Sequence, residues 1–357
     1  MCKIYVAIPS TALSGGGESM HQFVSACIEE GYNAYFYYYD AEDYVGMQSK
    51  FSEYSANVVY EIEDISSNIL IVPEVCTHLL SQFLHIKKVI WWLSLQFFLE
   101  KNHLFCDLGF SSTEIYCGVR EYIFKKNVGS FWLFPLWGYR YVKYRFGFPF
   151  KSNRLKEIGY ADFHMYNCEY ARQYIVRCDV DKDKMQYLCG PLNEKFFSGQ
   201  LDFIKENIVI YNPAKSDYFT RTVIEKLKKL NVCKVVPLCN MSFKEMVEIY
   251  SRAKVYMDFG SFPGPERMPR EAVLFGCNLI VGKRGAAKNN IDVPIPEEFK
   301  FSFNISNIQH IVSKIQSMLL DYEADLPKFD VYRLKVLKQK EIFSSSVHDV
   351  IAQIKNK

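Results

Sequence analysis

The feature that most constrains the fold is a regular alternation of short apolar strands with amphipathic helices. The first half carries the strand-like runs KIYVAI, NAYFYYYD, NILIVPE and KKVIWWLSL, and the segment MHQFVSACIEEGY after the first run has apolar residues at helical spacing. Strand, helix and strand in this repeating order indicate parallel strands joined by right-handed crossovers. The pattern therefore predicts an α/β fold.

The second half repeats the alternation with its own edges. Its strand-like runs are ENIVIY, CKVVPL, AKVYMDFG and NLIVG, and its helical runs are TRTVIEKLKKL, SFKEMVEIYSRA and PREAVLFG. A chain of 357 residues also exceeds one typical domain. We therefore expect two Rossmann-like, doubly wound domains that face a cleft, over 1–190 and 191–330.

Composition disfavours several classes of protein. No stretch reaches the ~18 consecutive apolar residues of a membrane-spanning helix, and the start MCKIYVAIPS lacks the charged and apolar regions of an export signal. A net charge of +3 does not by itself indicate nucleic acid. The 11 cysteines include no CxxC pair and no metal-ligand spacing, so reduced thiols in a cytoplasmic protein are expected.

A cluster of charges lies between the strand AKVYMDFG and the helix that follows it. Glu266, Arg267, Arg270 and Glu271 fall within six residues. Parallel sheets bind ligands at the carboxyl ends of their strands, and the amino end of a helix favours an anion. Arginines bind phosphate, and carboxylates accept hydrogen bonds from sugar hydroxyls. The stretch is interpreted as a cradle for a nucleotide diphosphate; the alternative is a set of solvated helix-start charges that pair with each other.

The loop SGGGES after the first strand contains Gly15, Gly16 and Gly17. A dinucleotide fingerprint also combines a glycine loop with an acid roughly 20 residues on, here represented by Asp40. However, PSTALS separates the strand from the first glycine, and Met20 stands where the third glycine is required. A nicotinamide-dependent oxidoreductase is therefore the less favoured interpretation of this loop.

Six segments, taken in their order along the chain, resemble bacterial glycosyltransferases of the GT-B fold, similar to glycosyltransferase family 4. They are SGGGE, VPE, WWLSL, ADFHMYNCEYARQYI, YNPAK and DFGSFPGPERMPREAVLFGCNLIVGKRGAA. The resemblance implies that 191–330 holds a nucleotide sugar and that 1–190 binds the acceptor. It also implies that the C-terminal helices, 331–357, pack back on the N-terminal domain. Leu334, Leu337, Ile342 and Val347 are the residues expected to make that packing; a partner-binding helix is the alternative.

Residue by residue, the resemblance implies that Glu271 binds the donor ribose and that Lys215, in YNPAK, meets the diphosphate. The glycine loop is expected near the donor phosphates and the acceptor. One position departs from the family pattern: Pro263 stands where the first glutamate of the family's pair belongs, eight positions before Glu271. Glu266 is the nearest acid and is out of register with the motif.

Three side chains are candidate catalytic residues: Glu74, His164 and Glu18. Glu74 follows a strand end and would be the base of an inverting reaction, or a ligand of the acceptor hydroxyl. His164 is a lone histidine, and such residues are more often structural than catalytic. Glu18 and His21 leave the glycine loop one helical step apart and either meet a substrate hydroxyl or form a surface pair.

No DxD-like metal clamp stands at a suitable strand end, since Asp179 and Asp181 precede a predicted strand in a polar turn. We therefore expect no metal and no cofactor beyond the nucleotide-sugar substrate. Lys215, the arginines and a helix amino end are expected to neutralise the leaving diphosphate. If the family resemblance holds, the reaction retains the configuration of the sugar.

The segment 120–156 combines basic and aromatic residues. It has nine Lys and Arg against one acid, Glu121, a local net charge of +8, and twelve aromatic residues. Three interpretations remain: peripheral contact with an anionic membrane, stacking on sugars or single-stranded nucleic acid, and an aromatic core flap with ordinary lysines. Nucleic acid is the least favoured, because the chain has no RNA-binding signature.

The sequence thus predicts a cytoplasmic glycosyltransferase, which sits peripherally at the inner face of a membrane if the first of these interpretations holds. It would move a sugar from a nucleotide sugar to a hydroxyl of a glycan or lipid-linked acceptor, in the synthesis of a surface polysaccharide or glycoconjugate. A non-catalytic sugar- or nucleotide-binding module with a degenerate GT-B fold is the alternative, which Pro263 favours and which Lys215 and Glu271 disfavour.

Overall fold

A computed structural model describes residues 2–10, 14–40, 51–147, 155–198 and 204–356. The chain divides into two compact units. The first comprises Met1–Asn102, Ser152–Pro191 and Lys338–Lys357, and the second comprises His103–Lys151 and Leu192–Leu337.

The strands of the described ranges are β1 (Lys3–Ile8), β2 (Asn33–Tyr38), β3 (Val58–Val59), β4 (Ile69–Pro73), β5 (Lys87–Trp92), β6 (Phe163–Tyr166), β7 (Met185–Tyr187), β8 (Glu206–Tyr211), β9 (Lys234–Pro237), β10 (Ala253–Asp258), β11 (Asn278–Gly282) and β12 (Lys300–Phe301). The α-helices are α1 (Gly15–Glu29), α2 (Leu95–Lys101), α3 (Ser112–Lys126), α4 (Leu133–Phe146), α5 (Leu155–Ile158), α6 (Glu169–Arg177), α7 (Lys195–Ser198), α8 (Tyr218–Leu230), α9 (Phe243–Arg252), α10 (Arg267–Leu274), α11 (Ile308–Leu320), α12 (Tyr322–Asp325) and α13 (Asp330–Lys355).

The first unit is built on a seven-stranded parallel sheet in the order β3-β2-β1-β4-β5-β6-β7. All five residues of β4 are buried, as expected for a strand covered on both faces. In the core, the rings of Phe23 on α1 and Trp91 on β5 pack edge to face at 5.5 Å. The apolar runs that predicted these strands are therefore the core of the unit.

The second unit has a five-stranded parallel sheet in the order β12-β11-β10-β8-β9. In both sheets the strand order reverses near the centre, between β1 and β4 in the first unit and between β8 and β10 in the second. Each reversal leaves a crevice at the carboxyl ends of two neighbouring strands, where doubly wound sheets bind ligands. The predicted α/β architecture of two Rossmann-like units is confirmed.

The segment between residues 103 and 151 differs from the predicted domain boundaries, which placed it within 1–190. It belongs to the second unit. The contacts of α3 give the physical reason: the Arg221 guanidinium lies 2.9 Å from the Glu121 carboxylate, and the Arg120 guanidinium lies 4.1 Å from the centre of the Tyr218 ring. Helix α3 therefore packs on α8, far away in the sequence.

The C-terminal helix α13 contributes to the core of the first unit, but mostly through residues other than the predicted ones. Of the four, only Val347 is buried, while Leu334, Leu337 and Ile342 are exposed. The buried face consists of Phe343, Val347, Val350, Ile351 and Ile354, which recur at three- and four-residue intervals. Leu334, Leu337 and Ile342 lie on the same helix but outside this buried face.

Candidate functional site

The carboxyl ends of β8 and β10 carry most of the residues predicted to bind phosphate. The turn Pro213–Lys215 follows β8, and the loop after β10 runs through Glu266 into α10. The two strands are neighbours in the sheet although the chain forms β9 between them. The predicted cradle therefore lies where a sheet of this topology binds its ligand.

Lys215 joins these two loops. Its Nζ donates a 3.2 Å hydrogen bond to the carbonyl oxygen of Ser261 and forms an ion pair with the Glu266 carboxylate. Gly260 permits this approach, because a Cβ there would lie 2.6 Å from the Cβ of Lys215 and 2.9 Å from Oδ1 of Asp258. The lysine ammonium is thus held at the strand ends, and position 260 requires glycine.

Asp258, the last residue of β10, was missed by sequence reasoning. Its carboxylate is buried and accepts hydrogen bonds from the Gly260 N–H at 2.8 Å and the Tyr256 hydroxyl at 3.0 Å. Burial raises the pKa of this carboxyl, and the charge of Lys215 partly opposes that shift. The signal in the sequence was an acid at the end of an otherwise apolar strand.

Glu266 caps the amino end of α10, but its carboxylate binds Lys215 instead of a helix N–H. Burial raises the pKa of Glu266, and Lys215 opposes the rise. Arg270 is 6% exposed and donates 3.2 Å hydrogen bonds to the carbonyl oxygens of Glu266 and Pro265. Arg267 is half-buried in the first turn of α10. Arg270 therefore stabilises the turn that positions the amino end of α10.

Glu271, the predicted ribose ligand, is 6% exposed. Its Oε2 accepts a 2.9 Å hydrogen bond from the hydroxyl of Tyr250, which is fully buried on α9. Burial and the neighbouring carboxylate both raise the pKa of Tyr250, so this tyrosine donates its proton to the bond at any ordinary pH. The pair joins α9 to α10.

Arg284, in the loop after β11, is a further charged residue that sequence reasoning did not select. Its Nη1 donates to the carbonyl oxygen of Phe259 at 3.2 Å and lies 3.5 Å from Oδ2 of Asp217, while Nε lies 2.9 Å from Oε1 of Glu114 on α3. The next residue, Gly285, has φ +50° and a hypothetical Cβ only 2.0 Å from the Phe262 carbonyl oxygen. Arg284 thus ties together loops that follow three strands and attaches α3 to them.

In the first unit, the glycine loop lies at the reversal point between β1 and β4. Helix α1 begins at Gly15, and the hydroxyl of Ser14 accepts a 3.4 Å hydrogen bond from the Gly17 N–H. Gly16 is in the first turn, and a Cβ there would contact the Leu93 side chain at 3.5 Å. The predicted loop is therefore the amino end of a 15-residue helix at a strand end.

Glu74 lies at the neighbouring strand end, directly after β4. It is 3% exposed, and its Oε2 accepts a 2.9 Å hydrogen bond from the N–H of Leu93. Burial raises the pKa of this carboxyl to about 7, against an ordinary value near 4.5, and the backbone N–H groups partly oppose the rise. The structure thus brings both Glu74 and Gly16 next to Leu93, and burial raises the pKa of Glu74 into the range of a general base near neutral pH.

Glu18 lies one turn into α1, half-buried, and its Oε1 accepts a 3.1 Å hydrogen bond from the Tyr54 hydroxyl. His21, which we considered as its partner, is 2% exposed between the rings of Phe36 and Phe51, at 4.4 and 4.5 Å. Burial lowers the pKa of His21. The surface pair, one of the two alternatives considered for Glu18 and His21, is wrong, because the histidine is a core residue.

His164 lies within β6 and is 1% exposed. Its Nδ1 accepts a 3.2 Å hydrogen bond from the indole N–H of Trp92, and burial lowers the pKa of the imidazole to about 4. The ring is therefore neutral at physiological pH. The structure does not bring His164 together with Glu74 or the glycine loop, and its surroundings are those of a structural histidine.

Among the described residues, no group of three or more His, Cys, Asp or Glu could hold a metal ion, and no helix is long and apolar enough to cross a bilayer. Asp179 and Asp181 are exposed, and Asp179 adopts a left-handed backbone conformation with φ 59°. The pair therefore lies in a polar turn, as its sequence context predicted.

Comparison with known proteins yields structural similarity without sequence similarity. No protein family matches the sequence, and no curated protein matches it. A glycosyltransferase from Rickettsia africae is similar in structure with a TM-score of 0.62 at 12% identity, over 99% of this chain and 98% of that one. Sucrose-phosphate synthase from Thermosynechococcus elongatus gives 0.59 at 11% identity, over 99% of both chains.

A third similar structure is that of HepE from Anabaena in complex with UDP-glucose. Its TM-score is 0.58 at 8% identity, over 98% of this chain and 99% of that one. Identities this low establish the fold alone, and all three proteins match along nearly their whole length. The chain described here has the GT-B fold, with two Rossmann-like units, that these glycosyltransferases share.

Proposed function

We propose that this chain is a glycosyltransferase that moves a sugar from a nucleotide-sugar donor to a hydroxyl group of a glycan or lipid-linked acceptor. The observation that carries the proposal is the position of Lys215, at the strand reversal of the second unit and beside the amino end of α10. A cation next to a helix amino end at this point suits a diphosphate. That HepE holds UDP-glucose in the same fold supports this choice of ligand.

In the proposed donor complex, a diphosphate oxygen replaces the Glu266 carboxylate as the partner of Lys215. Burial raises the pKa of Glu266, so the carboxyl can take up a proton when the lysine leaves it. The bond between the anomeric carbon and the diphosphate then breaks while the acceptor oxygen attacks that carbon. Lys215 and the helix amino end stabilise the negative charge that develops on the leaving group, and no metal is needed.

The face of the anomeric carbon that the acceptor oxygen attacks decides the stereochemistry, and it also decides which group is placed to take the acceptor proton. By the resemblance to glycosyltransferase family 4, we propose that the configuration is retained and that the leaving phosphate takes the proton. Glu74 is the residue that would take it in an inverting reaction, since burial raises its pKa to about 7. Glu18 and the glycine loop Gly15–Gly17 are proposed to contact the acceptor and the donor phosphates.

The proposed setting is the cytoplasmic side of a membrane, in the synthesis of a surface polysaccharide or glycoconjugate. This placement follows from the lipid-linked class of acceptor and from the aromatic and basic composition of 120–156. Residues 148–154 of that segment lie outside the described residues.

The first experiment is a thermal-shift screen of the purified chain against UDP, GDP, ADP, CMP and NAD, each with and without a divalent metal. A ligand that binds only the folded state raises the melting temperature through linkage. We expect a rise with one nucleoside diphosphate that does not depend on the metal. Lys215→Ala should remove most of it, whereas Lys244→Ala, an exposed lysine of α9 in the same unit, should not.

Other outcomes would contradict the proposal. A rise with NAD alone would indicate the nicotinamide enzyme. Binding of a nucleoside diphosphate without release of sugar from any nucleotide sugar, over a panel of acceptors, would indicate the binding module that Pro263 suggests. A rise that Lys215→Ala leaves unchanged would show that the ligand binds elsewhere.

A further inference from the structure

Helix α4 presents an unusual face to solvent. None of its residues is buried. Phe134, Gly138, Val142 and Phe146 follow one another at four-residue intervals on its outer side, and both phenylalanines are 73% exposed. A surface helix of a globular protein normally turns its apolar face to the core. In α4 these apolar residues are directed outward, whereas the inner side packs on the unit, with the Tyr144 ring 5.4 Å from that of Phe105. The aromatic core flap considered from the sequence therefore describes only the inner side of this helix.

The same aromatic surface begins before the helix. Phe131 is 73% exposed and Trp132 is 47% exposed in the turn that precedes α4, and Tyr139 adds a further exposed ring within it. Large apolar groups concentrated on one face of a soluble unit indicate a site of interaction rather than ordinary surface. We call the surface formed by Phe131, Trp132, Phe134, Tyr139, Val142 and Phe146 the aromatic face.

The formal side-chain charges within 122–147 all have one sign. Residues 122–147 contain five basic residues and no acid. The two acids of α3 are turned towards the protein: Glu121 is 13% exposed beside Arg221, and Glu114 is 8% exposed beside Arg284. At the end of α3, Lys125 and Lys126 are both exposed. The surface is therefore apolar in the centre and positive at its edges.

We propose that the aromatic face docks the second unit on an anionic lipid bilayer, with α4 lying in the plane of the interface. Aromatic rings insert at the level of the lipid head groups, while lysine and arginine bind the anionic phosphates around them. The absence of any acid between 122 and 147 complements a surface that is negative throughout. Single-stranded nucleic acid prefers a basic groove with stacking platforms, whereas this face is the convex side of a helix that also carries Val142.

The docking inference rests on none of the nucleotide-binding residues, although it suits the lipid-linked acceptor of the proposed function. It is tested by sedimenting the chain with vesicles of phosphatidylcholine alone and of phosphatidylcholine mixed with phosphatidylglycerol. We expect binding to the mixed vesicles only, and its loss near 1 M salt, where the screening length falls to about 3 Å. Tryptophan emission should shift to the blue on binding, because Trp91 and Trp92 are already buried and only Trp132 and Trp137 can report.

Two pairs of variants separate the apolar from the electrostatic part. Phe134→Ser with Phe146→Ser should lower the partition into mixed vesicles about tenfold or more. Its control is Leu84→Ser with Leu320→Ser, which removes two apolar side chains that are 81% and 80% exposed elsewhere.

The charge pair is Lys125→Glu with Lys126→Glu, which should abolish binding. Its control is Lys228→Glu with Lys229→Glu, which changes an exposed lysine pair in the last turn of α8. The two sites match because α3 and α8 both end at an asparagine in the left-handed conformation. Equal loss in test and control variants, equal binding to neutral vesicles, or stronger retention on a single-stranded oligonucleotide would each overturn the proposal. The vesicles contain no nucleotide, so failure here leaves the thermal-shift result untouched, and the reverse also holds.

Discussion

The hydroxyl of Tyr250 donates a 2.9 Å hydrogen bond to the carboxylate of Glu271, and both residues are buried where α9 meets α10. This hydrogen bond holds the Glu271 carboxylate in position without the help of any ligand. A carboxylate in such a place is costly to leave without its donor.

Tyr250→Phe removes that donor and keeps the ring. We expect a loss of about 1–3 kcal/mol in the free energy of unfolding, because the buried Glu271 carboxylate loses a hydrogen bond. Urea unfolding measures it, with Tyr60→Phe, a tyrosine that is 54% exposed, as the control. A change no larger than that of the control would show that the bond contributes nothing to stability.

Glu74 makes the stability of the folded chain depend on pH. Its folded pKa, about 7, is above the ordinary 4.5, so the folded state holds a proton that the unfolded state releases. The stability from this group is complete below pH ~4.5 and is lost as the pH rises through ~7. We therefore compare the free energy of unfolding of Glu74→Gln with that of the parent chain at each pH. The variant should gain on the parent between pH 4.5 and pH 8, by on the order of 3 kcal/mol.

Chemical unfolding of the Glu74→Gln variant across this pH range tests the prediction, with the exposed Glu61→Gln as the control. Parallel pH profiles for Glu74→Gln and the parent chain would contradict it. The same variant also addresses the reaction: it should abolish transfer if Glu74 is the base of an inverting enzyme, and spare it if the leaving phosphate takes the proton.

Gly260→Ala tests how closely the loops after β8 and β10 approach. The new Cβ would lie 2.6 Å from the Cβ of Lys215, which is too close for any real contact, so Lys215 must move. We expect a loss of about 1–3 kcal/mol in stability and weaker binding of a nucleoside diphosphate. Gly138→Ala is the matched control: it is in the middle of α4 with nothing within 4 Å, and should stabilise by about 0.5–1 kcal/mol. Full nucleotide affinity in Gly260→Ala would place the ligand away from this junction.

Arg284→Ala should loosen α3. Removing one partner of a largely buried ion pair leaves the carboxylates of Glu114 and Asp217 without the positive charge of the guanidinium. Hydrogen exchange should show at least ~tenfold faster exchange in α3 than in the parent chain. Arg252→Ala, at an exposed pair with Glu206, should leave exchange in α3 unchanged. Slow exchange in both variants would mean that other contacts suffice to hold the helix.

Much of the fold followed from local patterns in the sequence. Apolar runs of strand length separated by amphipathic helices predicted the two parallel sheets, and the strand-end rule placed Glu74 and the charged stretch around Glu266 next to strand ends. The positions of Lys215 and the glycine loop were expected from the family resemblance instead. These predictions worked because periodicity and helix caps depend on residues that are close together along the chain. Asp258 was within reach of the same rule, and Arg284 of a search for basic residues after strand ends.

Contacts between distant segments were decided only by the tertiary structure. The ion pairs of Glu114 and Glu121 attach 103–151 to the second unit. The hydroxyl of Tyr250 donates a hydrogen bond to the carboxylate of Glu271. Helix α13 buries Phe343, whereas Leu337 was the residue expected to pack. The periodicity of a helix shows that it has an apolar face, but not which way that face turns. Its direction depends on long-range packing, and for α4 the packing leaves the apolar face in solvent.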